Sequence, residues 1–244
     1  MLLNDYLKPH NKDIDELYHQ LTCYNVLSTA SFADFITETQ HLDGDIVECG
    51  IGRSRSLIIL SSLVIGLNLN KKIYAYDSFA GFPTPNPQDA SFRMPKAGDW
   101  SSSPSGKYQY TPEFSHQVLK SAEIPIEKIK LKLVKGFFRD SLPEAEPQKI
   151  SLLNIDGDLY ESYKDCLTYL FPKVQKGGII LFDDFSDIDS DKGAFPGSRL
   201  AAKEYLGEYE YSKIQKNRYG VFYYKMYKFR LDLTVTPFGR ALSD

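Results

Sequence analysis

The stretch Leu152–Tyr163, LLNIDGDLYESY, decides the fold. Apolar residues lead into Asp156, Gly157 and Asp158, and Glu161 follows. The lead-in has the character of a buried strand, but it ends in a cluster of carboxylates. Gly177–Phe185, GGIILFDDF, repeats the pattern and ends on Asp183 and Asp184. The segment between the two runs, LYESYKDCLTYLF, reads as a helix. Strand, helix and strand in that order predict two parallel strands whose carboxylate ends lie side by side.

The same alternation extends outward in both directions. Towards the N-terminus lie KISLLNID and, before it, the alternating run KIKLKLVKG. Thr111 followed by Pro112 marks a helix start, an N-cap with proline at the first helical position, and the helix runs to about Glu123. Further back come KKIYAYDSF, a strand ending at Asp77, and GDIVECG, a short buried strand at Ile46 and Val47. The helix RSRSLIILSSLVIGL lies between those two strands. Towards the C-terminus, SRLAAKEYLGE reads as a helix, and YEYSKIQKN with GVFYYKMYK as a closing pair of strands. Residues 1–41 carry apolar positions at helical spacing, among them Leu17, Leu21, Tyr24, Leu27, Phe32, Phe35 and Ile36. The order predicts an α/β fold with a mostly parallel sheet covered on both faces. Residues 80–110, rich in Pro, Gly and Ser, have no period, and their Phe92, Met94 and Trp100 supply contact surface, so they read as a lid.

In such sheets, ligands sit beyond the carboxyl ends of the strands. Glu48, Asp77, Asp156, Asp183 and Asp184 all fall at or just after strand ends. In VECGIGRSRS, Gly50 and Gly52 suit a tight turn that lets a ligand approach the backbone. The dinucleotide pattern wants a third glycine where Arg55 stands, and the P-loop pattern is absent. Glu48 would repel a pyrophosphate and attract a cationic ligand, which favours S-adenosylmethionine with its sulfonium and amino groups. Asp77 is placed to accept hydrogen bonds from both hydroxyls of a ribose. Asp156, Asp183 and Asp184 offer only hard oxygen ligands, a set that suits Mg²⁺, with Mn²⁺ or Ca²⁺ as alternatives, rather than zinc. Asp158, two residues past Asp156, is placed to act as general base on a substrate hydroxyl.

Composition narrows the field. The 244 residues carry a net charge of -3 without a Lys/Arg-rich stripe, which argues against nucleic acid as a partner. Cys23, Cys49 and Cys166 fit no zinc spacing, their odd number argues against a complete disulfide framework, and Cys49 and Cys166 read as small core residues, which suits a reducing cytoplasm. No secretory leader and no apolar run of membrane-spanning length is read, so the expectation is a cytoplasmic protein without a membrane partner. His10, His19, His41 and His116 are scattered and suggest no ligand set.

Taken in order, DIVECGIGRSRS, YAYDSFAGFPTP, VKGFFRDSLPEAE, LLNIDGDLYESYKDCLTYLFPKVQKGGIILFDDF and PGSRLAAKEYL resemble the macrocin O-methyltransferase family over roughly residues 43–225. The resemblance implies a Rossmann-like class I methyltransferase fold with a seven-stranded sheet. It divides the chain into an N-terminal helical cap (1–41), a methyltransferase domain (42–226, lid about 80–110) and a C-terminal tail (227–244). It implies an enzyme dependent on S-adenosylmethionine and Mg²⁺ that methylates a hydroxyl of a sugar or sugar-containing small molecule, in natural-product or polysaccharide tailoring. Cofactor contacts are implied for Glu48, Gly50, Arg53, Ser54, Asp77, Ser78, Phe79, Gly136, Phe138, Ser141 and Asp156. Metal ligation is implied for Asp156, Asp183 and Asp184, catalysis for Asp158, and a homo-oligomer for the assembly. The alternatives are a nicotinamide-dependent oxidoreductase or epimerase, and a non-catalytic nucleotide-binding module.

Overall fold

The computed structural model describes residues 23–185 and 194–227. The part of the cap through Thr22, including Leu17 and Leu21, and the tail from Lys228 lie outside the described residues, as do His10, His19 and the side chains of Cys23 and Tyr24. The element order is α1 (Cys23–Thr39), β1 (Asp45–Cys49), α2 (Arg55–Gly66), β2 (Lys72–Asp77), α3 (Pro112–Ser121), β3 (Lys130–Lys135), the short α4 (Phe138–Ser141), β4 (Ile150–Ile155), α5 (Tyr160–Leu170), β5 (Val174–Phe182), α6 (Pro196–Tyr211), β6 (Gln215–Lys216) and β7 (Phe222–Lys225). Seven strands form one sheet in the order β3-β2-β1-β4-β5-β7-β6. β1 to β5 pair in parallel, and β7 runs antiparallel to both β5 and β6. This is the class I methyltransferase topology.

The two-residue period of the strands divides the core. Val47, Cys49, Leu153, Ile155, Ile180 and Phe182 face a cluster completed by Tyr163, Cys166 and Leu167 of α5 and by Ala201, Ala202 and Tyr205 of α6. Ile46, Ile73, Ala75, Leu152, Ile179 and Leu181 face the opposite cluster, filled by Phe32, Phe35 and Ile36 of α1, Leu57 and Leu60 of α2, and Phe114, Val118 and Leu119 of α3. Burial on both faces explains why these strands read as apolar runs. At the N-terminal foot of the sheet, Lys71 Nζ donates to Leu42 O at 2.7 Å, Gly44 O at 2.9 Å and Ser151 Oγ at 3.0 Å, tying the approach to β1 onto β4.

Several boundaries follow local chemistry. Thr111 Oγ1 accepts from Phe114 N at 3.1 Å, the expected cap of α3. β5 begins at Val174, before the glycine pair where it was expected. The tyrosines of YEYS, expected in a strand, belong instead to the last turn of α6. That helix buries Ala202, Tyr205 and Leu206, breaks at Gly207 (φ 72°, ψ 162°) and resumes to Tyr211. The alternating tyrosines imitate a strand, but Tyr209 is 74% exposed and pairs with no strand. β6 is accordingly only two residues long. Residues 80–110 form an ordered loop with a 3-10 turn at Pro87–Asp89. It is closed on itself by Phe82 N to Asp99 O at 2.8 Å, Gly98 N to Phe82 O at 3.0 Å and a bridge between Ser102 and Gln109. Among the described residues, no helix is long and apolar enough to cross a membrane.

One polar pair interrupts the apolar sheet. Glu48 lies opposite Asn154 in the β1–β4 register and accepts from Asn154 Nδ2 at 3.3 Å. Glu48 is fully buried, and its Oε2 has no hydrogen-bond partner. Burial pushes its carboxyl up from 4.5 to about 8, against the pull of hydrogen bonds from Ser56 and Asn154. The folded chain therefore holds a proton that the unfolded chain releases, so this group's contribution to stability is present at low pH and is lost as pH rises towards 8.

At the carboxyl ends, Asp156 N donates to Cys49 O at 2.8 Å and Gly50 N donates to Tyr76 O at 2.8 Å. Gly50 has φ 92°, and a Cβ there would collide with the Asp156 carbonyl. Two outcomes are expected. Gly50→Ala should prevent β1 and β4 from closing and lower stability by about 4 kcal/mol or more, read as loss of a cooperative melt. Glu48→Gln should melt higher than the wild type at pH 8, and the two should converge only below pH 4.5, where the wild-type carboxyl is protonated in both the folded and the unfolded chain.

Candidate active site

A cavity of about 1210 Å³ opens over the carboxyl ends of the parallel strands, at the reversal of strand order between β1 and β4. Gly50, Arg53, Asp77, Ser78, Phe138, Asp156, Asp158, Asp183 and Asp184 of the expected set line it. Glu48, Ser54, Phe79, Gly136 and Ser141 do not, and each has a place in the surrounding frame. Glu48 lies beneath Asn154, which does line the cavity. Ser54 Oγ donates to Ser115 Oγ at 2.8 Å, between α2 and α3. Phe79 is buried in the core on the α1 side of the sheet. Gly136 N donates to Asp77 O at 2.9 Å, and Ser141 Oγ donates to Phe137 O at 3.1 Å.

On the β1–β2 side, Asp77 organises the glycine turn. Its Oδ2 accepts from Ile51 N at 2.7 Å and Gly52 N at 3.1 Å, and its Oδ1 accepts from Phe79 N at 2.7 Å. Each carboxylate oxygen has further acceptor capacity for ligand hydroxyls. Nothing lies within 4 Å of where a Cβ of Gly52 would stand, so the backbone there is open to a ligand. Phe137 and Phe138 add flat apolar surface to the same cavity. Together these residues fit a nucleoside-bearing cofactor.

On the β4–β5 side, Asp156, Asp158 and Asp184 each present an oxygen, all within 4.8 Å of one another. Asp183 lines the cavity beside them but is not one of these three. Asp158 has φ 56°, its N–H donates to Asp184 Oδ2 at 2.8 Å, and the Tyr163 hydroxyl beneath donates to Ile155 O at 3.0 Å. Burial raises the pKa of Asp156, and its neighbours Asp183, Asp184 and Asp158 raise it further. Burial and then Asp184 do the same to Asp158, while the Arg93 guanidinium pulls it down. Clustered carboxylates with so little compensation, all hard oxygen donors, fit a divalent cation of the Mg²⁺ or Mn²⁺ kind.

The lid contributes Asn86, Arg93 and Trp100 to the cavity wall. Arg93 lies over the Phe195 ring at 5.5 Å and Arg53 over the Trp100 ring at 5.3 Å, and all four residues line the cavity. Several lining residues were not singled out from sequence, namely Asn154, Arg93, Glu161, Phe195 and Tyr219. Asn154 carried one visible signal, a lone amide inside an apolar strand.

The comparisons agree with this geometry. The macrocin-O-methyltransferase (TylF) family model matches residues 29–205, which include β1, β2, β4 and β5 and all four aspartates of the acidic side. A mycinamicin III 3''-O-methyltransferase of Micromonospora griseorubida is 25% identical over 187 residues, covering 74% of this chain and 68% of that protein. A demethyldecarbamoylnovobiocin O-methyltransferase of Streptomyces niveus is 29% identical over 147 residues, covering 59% and 54%. The chain thus matches between about half and two-thirds of the length of these relatives. Among solved structures, a calicheamicin methyltransferase superposes with a TM-score of 0.69 at 22% identity, over 91% of this chain and 89% of that one, which supports the fold. With the family's model matched across most of its length, the chain belongs to the macrocin O-methyltransferase family.

Proposed function

We propose that the protein is an S-adenosylmethionine-dependent O-methyltransferase acting on a hydroxyl of a sugar-bearing small molecule, with a divalent cation at the acidic cluster. One observation carries this reading: the Asp77 side and the aspartate side open into a single cavity, so a methyl donor and a cation-held hydroxyl can meet. The names of the relatives, O-methyltransferases of mycinamicin III and of demethyldecarbamoylnovobiocin, support a small-molecule acceptor.

The cofactor supplies an electrophilic methyl on sulfonium, and the cation supplies Lewis acidity that lowers the acceptor hydroxyl's pKa. The chain's own residues do the rest. Asp77 accepts the ribose hydroxyls while holding the Gly50–Gly52 turn in place. Asp156 and Asp184 would hold the cation. Asp158 is the residue that would take the hydroxyl proton. The lid would exclude water, and the cavity walls would hold the acceptor beside the cofactor. The third cation seat belongs to Asp183 if Asp158 is the base, although Asp158 is the residue whose oxygen lies closer to the other two.

Calorimetric titration with S-adenosylhomocysteine should show binding in the wild type and its loss in Asp77→Ala; no binding to the wild type would refute the cofactor reading. Asp158→Asn should keep that binding and lose about 10²- to 10⁴-fold in turnover. If its Mn²⁺ affinity falls by only about tenfold or less, as loss of one neighbouring negative charge would cause, Asp158 is the base and Asp183 the third ligand. If Mn²⁺ affinity collapses with turnover, Asp158 is itself a ligand. Full activity in excess chelator would remove the cation altogether.

A further inference from the structure

Helix α5 follows directly on the aspartate loop, and it begins without a cap of its own. Leu159 occupies the N-cap position and offers no acceptor side chain. The first amide of the helix is satisfied from the lid: Tyr160 N donates to Asp89 Oδ1 at 2.7 Å, across 71 positions of sequence. Asp89 is 2% exposed, although it sits in a loop where Phe92 and Met94 are each 72% exposed. Its other oxygen, Oδ2, accepts from Asn86 N at 2.8 Å within the 3-10 turn, and Asn86 Nδ2 donates onward to Glu161 Oε1 at 3.1 Å. From a third side α6 presses in. A Cβ on Gly197 would collide with Asp89 Oδ1 and crowd Tyr160, so the first turn of α6 closes the seat around this carboxylate.

The consequence concerns Asp158, two residues before Tyr160. Its backbone is left-handed, and its N–H is held by Asp184 Oδ2 at 2.8 Å. On its C-terminal side, the next side-chain anchor is the bond from Tyr160 N to Asp89. The carboxylate of Asp158 is thus suspended between one anchor on the sheet and one on the lid. Asp89 does not line the cavity, so it touches neither cofactor nor acceptor and acts only through the loop it holds.

We propose that Asp89 is a positioning residue that ties the seating of the lid to the placement of the Asp158 carboxylate. When the lid is seated, α5 is capped and Asp158 is held beside Asp156 and Asp184. When the lid lifts, Asp89 leaves with it, the first turn of α5 loses its acceptor, and Asp158 loosens. Proton removal from the acceptor is then confined to the closed enzyme. This last step rests on Asp158 being the base, whereas the mechanical link does not.

The test is a double-mutant cycle on the full chain, read by calorimetry with Mn²⁺ alone and, separately, with S-adenosylhomocysteine. Because the Asp158 oxygen lies within 4.8 Å of the other two, Mn²⁺ affinity senses its position. Asp89→Ala should weaken Mn²⁺ binding by about fivefold or more, with S-adenosylhomocysteine affinity held within about twofold, and the Mn²⁺ effect should vanish in an Asp158→Asn background. Asp89→Asn keeps an amide oxygen for Tyr160 N but turns a donor towards Asn86 N, so it should fall between wild type and Asp89→Ala. It also carries the same cycle if the alanine variant does not fold. Ser91→Ala removes a different lid bond, Ser91 Oγ to Ala194 O at 2.7 Å, and should leave Mn²⁺ affinity unchanged. An unchanged Mn²⁺ affinity in the Asp89 variants, or an equal loss in both backgrounds, would overturn the link. Turnover of Asp158→Asn tests the base assignment independently.

Discussion

The close approach of β1 and β4 at their carboxyl ends is the constraint on which the rest of the site depends. Only a residue without a side chain can stand at position 50, because the Asp156 carbonyl occupies the space a Cβ would need. That contact sends the chain after β1 into a turn whose amides converge on Asp77. It also places Asp156 N on Cys49 O and so sets the height at which the aspartate loop leaves the sheet. The cofactor side and the acidic side are therefore positioned by the same few atoms.

What this frame holds is electrostatically unfavourable in the absence of a ligand. Burial and mutual repulsion both oppose ionisation of Asp156 and Asp158. The fold tolerates this because most of its apolar surface lies elsewhere, in two clusters on opposite faces of the sheet. Stability is supplied by the strand interiors and the helices, while the strand ends are left for chemistry. Such a division is expected where active groups must be held in states that water would not favour.

Much of this was legible in the sequence because parallel strands announce themselves. LLNI and IILF are apolar because both faces of the sheet are covered, and the carboxylates that follow are conspicuous by contrast. Asp77 and the glycine pair were legible for the same reason, as polar or small residues at the ends of buried runs. The errors came where local pattern and tertiary context disagree. Tyr209 and Tyr211 alternate like a strand but finish a helix, because Tyr205 and Leu206 before them are already committed to the core. Residues 80–110 read as a lid, but what orders them is not visible locally, since it rests on backbone bonds and on one buried carboxylate whose partner is 71 residues away. A local signal did exist in Asn86-Pro87-Gln88-Asp89, a capping pattern around a proline, but nothing in it points to α5. The pairing of Glu48 with Asn154 follows from strand register, which a single strand's sequence does not contain.

Lys71 stands at the opposite edge of the sheet from all of this, 6% exposed, with its ammonium on three oxygens. Burial lowers its pKa, which by itself would make the amine a better nucleophile. Enclosure removes that advantage, since an acylating reagent or a lysine-modifying enzyme has no approach to it while β1 and β4 are joined at their foot. Its labelling by an amine reagent would thus record only those moments when the base of the sheet comes apart. The fold carries within itself a gauge of its own integrity, placed as far along the strands as possible from the groups that do the chemistry.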